Sequence, residues 1–134
     1  MYGNHFKFQE LVVTSSGLDN TISSAAHLGN LANLWDYLNF LREKFGKPIY
    51  INSAFRTPSV NKHVGGSNRS LHLQGRAADI RPKDLQDLEQ LWNVVCSYNK
   101  EYGCLSEKIK YFLCMEFSPI NNKHLSEWKG AFVL

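Results

Sequence analysis

One stretch constrains this chain more than any other. It runs from Tyr50 to Pro82 and reads YINSAFRTPSVNKHVGGSNRSLHLQGRAADIRP. A β-forming run over residues 48–52 enters it, and a second over 75–81 leaves it. Between them, Pro58 stands at a good first helical position for the short piece PSVNKHV. A polar, glycine-bearing loop, GGSNRS, follows. His72 and Asp79 then come seven positions apart, a spacing that does not make neighbours on a helix, where faces repeat at three and four. The two side chains converge if His72 lies in a loop and Asp79 on the strand after it. Gly75, Ala77 and Ala78 suit that arrangement, because small residues let backbone and ligand approach closely. Arg56 is delivered just after the turn at Asn52 and Ser53.

The flanks supply the scaffold. From Leu28 to Phe45, the apolar positions Leu31, Leu34, Trp35, Leu38, Leu41 and Phe45 recur at three and four, which predicts an amphipathic helix closed by Gly46 and Pro48. Its aromatics are core residues. A second helix is expected over 84–100, capped by Asp84, with Leu85, Leu88, Leu91, Trp92, Val95 and Cys96 as the buried stripe. Residues 6–16 are ambiguous between helix and strand, and residues 17–29 are turn-rich. The run 109–117 is dense in β-formers, SPINN reads as a turn, and a return strand at 123–126 would complete a hairpin. Residues 101–107 read as connection. Together these give one domain over 1–134 of the α+β class: two or three helices against a small, mainly antiparallel sheet.

Composition excludes some classes. A net charge of +3 on 134 residues, with no basic patch interleaved with aromatics, gives no basis for a nucleic-acid partner. There is no apolar run long enough to span a bilayer, and MYGNHFKFQE has no apolar signal-peptide core. Synthesis in the cytoplasm and no membrane insertion are therefore expected. Cys96, Cys104 and Cys114 are odd in number and lack C-x-x-C spacing, which reads as buried structural thiols. His63 reads as a surface residue. Oligomeric state is not legible.

Several segments together resemble a known family. INSAFRTPSVN, the VGGS turn, SLHLQGRAADI and a late KHLS are similar to the M15 zinc peptidases, the D-Ala-D-Ala carboxypeptidases and murein endopeptidases. The short single-domain phage form is the nearest in shape. FKFQELVVTSSGLDNTISSAAHLGNLANL resembles, more loosely, the family's leader helix and D-N-T loop. The resemblance implies a fold shared with the hedgehog signalling domain. It also implies peptidase action on D-amino-acid bonds of peptidoglycan stem peptides, reached after lysis or by a separate export route.

The resemblance also implies roles for residues. A catalytic zinc takes three protein ligands and keeps one position open; His72, Asp79 and His124 match the family's ligands, for one Zn2+ per chain. Arg56 matches the arginine that binds substrate near its terminal carboxylate, a grip that lysine's geometry does not reproduce. Ser70 matches a substrate-binding position, and also suits a loop cap. The general base departs from the pattern: where relatives place an acid three residues before the last histidine, this chain has Asn121. Glu116 is the preferred replacement and Glu127 the alternative. A chain with neither would be a catalytically weak zinc-binding relative, serving as a wall-binding or assembly module.

Overall fold

The computed structural model describes residues 4–98, 104–108 and 111–117. Helix α1 spans Ala25–Phe45, strand β1 Ile49–Ser53 and helix α2 Pro58–His63. Strand β2 covers Ala77–Pro82, helix α3 Leu88–Tyr98, strand β3 Cys104–Lys108 and strand β4 Leu113–Phe117. The four strands form one antiparallel sheet in the order β1-β2-β4-β3. The expected α+β class is what the chain adopts.

Helix α1 begins where Ser24 accepts a hydrogen bond from the His27 amide, and it stops at Gly46, whose φ of 76° suits a residue without a Cβ. The stripe read from the sequence is buried at Leu31, Leu34, Leu38, Leu41 and Phe45. Trp35 is half-buried and donates its indole N–H to the Phe6 carbonyl at 2.8 Å. The stripe packs on the sheet face that carries Ala78, Ile80, Leu113 and Met115, with Leu91 and Val95 of α3 completing the core. Each fully buried Leu or Ile in this layer contributes about 1.5–3 kcal/mol.

Alternation along the strands assigns the opposite face to polar side chains. On β2 the residues between the core positions are Asp79 and Arg81, and on β4 they are Cys114 and Glu116. Pairing sets Asp79 opposite Cys114 and Ala77 opposite Glu116. One irregularity matters for β1. Ile51 pairs with Ile80, but Ser53 pairs with Asp79, so Asn52 is an extra residue that bulges the strand. Its amide oxygen accepts from Arg81 Nε at 3.1 Å.

Some expectations need correction. Residues 104–108 are a strand, not a connection, and the hairpin among the described residues is β3–β4. The proposed return strand at 123–126 lies outside those residues. Of the stripe expected over 84–100, Leu85 is 49% exposed and Cys96 is exposed, so the buried stripe begins later and is narrower than the sequence pattern suggested. The cause is local: residues 85–87 form a 3-10 turn, whose tighter winding rotates Leu85 away from the stripe. Asp84 stands at the start of that turn but makes no side-chain cap bond. Strand β2 starts at Ala77 rather than at residue 75, because Gly75 has a φ of 73° and ends a preceding turn.

Candidate metal centre

His72 lies in a 3-10 turn, Leu71–Gln74, that leads into β2. Ser70 opens the turn, its Oγ accepting from the His72 amide at 3.2 Å. Gly75 closes it against the start of α1; a Cβ there would lie 2.8 Å from the His27 carbonyl oxygen. The imidazole is 5% exposed and is clasped by the segment after β1. Its Nδ1 stands 2.6 Å from the Ala54 carbonyl, and the Arg56 amide donates to the His72 carbonyl at 3.0 Å.

A carbonyl oxygen can only accept, so Nδ1 carries the proton and a neutral ring turns the Nε2 lone pair outward. That lone pair faces Asp79 Oδ1 at 3.4 Å. A lone pair facing a carboxylate calls for a cation, which a proton on Nε2 or a metal ion between the two supplies. A histidine whose other nitrogen is anchored to a backbone carbonyl is also the usual arrangement of a metal ligand. The donor set therefore fits zinc, which takes imidazole nitrogen and carboxylate oxygen. The sequence-based convergence of His72 and Asp79 holds.

Arg56 fixes the other carboxylate oxygen. Its Nη2 reaches Asp79 Oδ2 at 3.3 Å, Nη1 reaches Asn61 Oδ1 at 3.2 Å, and Nε donates to Ser53 Oγ at 2.9 Å. The bulge at Asn52 brings Ser53 to that position. Burial works against the Asp79 charge, yet His72, Cys114 and Arg56 outweigh it and hold the carboxyl below its usual range. Burial likewise lowers Arg56, with Asp79 opposing. Asn61 is buried and also donates to the Ser67 carbonyl at 2.9 Å, tying α2 and the glycine loop to the arginine. The D-N-T loop contributes from behind: Asn20 donates to the Val12 and Phe55 carbonyls, both at 2.9 Å, and accepts from the Thr57 amide at 2.8 Å.

His72, Asp79 and Arg56 line a cleft of about 540 Å³ that also contains Ser70, Arg69, Arg76, Cys114 and Glu116. Glu116 enters from β4. Its Oε2 is buried and has no hydrogen-bond partner among the described residues. Burial raises its pKa above 4.5, and the Asp79 charge adds to this while His72 and Arg76 oppose it. A carboxyl with a raised pKa and an unengaged oxygen in a polar cleft is suited to proton transfer. His124, Asn121 and Glu127 lie outside the described residues.

The comparison that decides the family is a match of the peptidase M15 family model to residues 4–110. The chain belongs to the M15 peptidase family. M15 members are zinc peptidases at the family level, and the matched range includes Arg56, Ser70, His72 and Asp79. A curated relative, the zinc D-Ala-D-Ala carboxypeptidase of Streptomyces albus G, is 37% identical over 59 residues. That stretch is 43% of this M15 chain and only 23% of the carboxypeptidase's length.

The cysteines divide in a way sequence reasoning missed. Cys104 is a buried core thiol, pushed up to about 12 by burial. Cys96 is exposed, contrary to expectation. Cys114 is neither: it is partly buried and sits in the centre beside Asp79, its thiol raised by burial and then by the Asp79 charge. His63 is exposed, as read from the sequence. No helix among the described residues is long and apolar enough to cross a membrane.

Proposed function

We propose that this chain is a zinc peptidase that cleaves D-amino-acid-containing peptide bonds in the stem peptides of peptidoglycan. The observation that carries the reading is the convergence of His72 Nε2 and Asp79 Oδ1, 3.4 Å apart in a cleft with an arginine behind them. His72 and Asp79, with His124 as third ligand, would hold the ion. When bound, zinc polarises a peptide carbonyl and makes water a usable nucleophile at neutral pH.

The chain's own residues do the rest. Arg56 spends three of its five N–H groups on Ser53, Asn61 and Asp79, which leaves one on each Nη for a substrate carboxylate or carbonyl. Those anchors fix the guanidinium plane, so the remaining donors are aimed before substrate arrives. Glu116 Oε2 takes a proton from the attacking water and returns it to the leaving amine, the traffic that Asn121 cannot carry. Ser70, whose oxygen already caps the His72 turn, retains its hydroxyl proton for a peptide carbonyl.

The test is release of amino acids or peptides from purified peptidoglycan by zinc-loaded protein, followed by mass spectrometry. Terminal D-amino acid products identify a carboxypeptidase and internal cuts an endopeptidase. Zinc-loaded protein that binds the wall polymer without cutting it would replace this reading with that of a binding module.

A further inference from the structure

Cys114 has no role in the mechanism above, yet its position is not that of a packing residue. On β4 the core is built by Leu113, Met115 and Phe117, and Cys114 points to the opposite, open face. The β2–β4 register places it directly across from Asp79. One donor atom each from His72, Asp79 and Cys114 lies within 4.8 Å of the other two. Ligands about 2.0–2.3 Å from a common ion in tetrahedral geometry stand roughly 3.3–3.8 Å apart, so a small closing movement brings the three onto one ion.

We propose that Cys114 is a metal ligand, its Sγ joining His72 Nε2 and Asp79 Oδ1 around one divalent cation. This rests on the metal-binding reading of the cleft; beside His124 the thiol would be a fourth protein donor, in the position a catalytic zinc keeps open and from which water must displace it for turnover. As the sulfur–metal bond forms, the thiol proton leaves to solvent and the metal keeps its oxidation state. The described residues then supply one nitrogen, one oxygen and one sulfur donor. A sulfur donor shifts preference toward zinc, cobalt and cadmium and away from magnesium, calcium and manganese.

Cobalt(II) reports this directly, because a thiolate ligand adds a sulfur-to-metal charge-transfer band in the near ultraviolet. The full chain is titrated with cobalt(II) as wild type, Cys114→Ser and Cys96→Ser, and folding is checked by circular dichroism. The expected result is a band in the wild type and Cys96→Ser that is lost in Cys114→Ser. Cobalt affinity in Cys114→Ser should fall at least about tenfold, the scale on which even outer-shell partners act. As a check that needs no variant at this position, zinc should slow alkylation of Cys114 in wild type, and His72→Ala should remove that protection. Stoichiometric cobalt binding without a sulfur band, or with a band unchanged in Cys114→Ser, overturns thiol ligation and leaves the His72–Asp79 metal site standing. Failure to bind cobalt at all overturns both.

Discussion

Replacing Gly66 by alanine should loosen the arginine anchor without touching the metal ligands. A Cβ at Gly66 would fall 2.1 Å from Asn61 Oδ1, 2.8 Å from its Cγ and 3.1 Å from Arg56 Nη1. The first two separations are not tolerable, so the Asn61 amide must rotate. It would then lose its charge-assisted bond to Arg56 and its bond to the Ser67 carbonyl. The former is worth about 1.5–3 kcal/mol and the latter about 0.5–1.5 kcal/mol. Part of this is recovered where Arg56 finds water in the cleft, so a net loss of about 2–3 kcal/mol is expected. For a domain of this size that lowers Tm by roughly 10 °C. The assay is thermal unfolding in a double-mutant cycle with Asn61→Ala, with Gly65→Ala as control. Gly65 has open space around its missing Cβ and only a φ of 79° against substitution, so its cost should be near 1 kcal/mol. In the Asn61→Ala background, Gly66→Ala should cost at least about 1.5 kcal/mol less than in wild type. Equal costs in both backgrounds would show that the clash is relieved elsewhere and would refute the argument.

Metal analysis of purified protein should find about one zinc per chain, and His72→Ala should abolish tight binding; retention of zinc by that variant would remove His72 from the site. Arg56→Lys should keep its zinc while kcat/KM falls about 30-fold, the equivalent of about 2 kcal/mol; unchanged kinetics would make Arg56 purely structural. Glu116→Gln should keep zinc and lose turnover by a factor on the order of 100. The same variant has a stability signature in metal-free protein. Because the folded-state pKa of Glu116 is raised above 4.5, ionisation favours the unfolded chain as pH rises from 4.5 through the folded value. Glu116→Gln should therefore be more stable than wild type at pH 7, with the gain gone below pH 4.5. A gain independent of pH would mean that Glu116 is not held in a desolvating site.

Much of this was legible in the sequence where local pattern and tertiary packing agree. The α1 stripe, the short helix after Pro58 and the meeting of His72 with Asp79 all follow from periodicity, a cap and small residues. Strand β3 was not legible: CLSEK has no β-branched or aromatic residue, and it is held by pairing with β4 rather than by its own propensity. Cys114 was within reach. Placing Glu116 in the cleft commits the residue two positions earlier to the same face of a strand, since side chains alternate with period two. The roles of Asn20 and the Ala54 carbonyl were not legible, because Asn20 acts on Phe55 and Thr57 and the carbonyl on His72, all distant in the chain.

The bulge at Asn52 gives the chain a phase as well as a shape. Regular alternation from Ile51 would turn Ser53 toward the core; the extra residue advances the pleat by half a period and delivers Ser53 beside Asp79. Everything as far as Arg56 is counted from that point. Were Asn52 itself to pair with Asp79 in a regular ladder, Ser53 would come one place later and the hydroxyl that steadies the guanidinium would be carried to the wrong side. Register is therefore fixed between Ile51 and Arg56 even though Asn52 itself is exposed. Asn68 and Arg69, exposed in the glycine loop, carry no such count, and one residue more or less there should leave the arginine where it is.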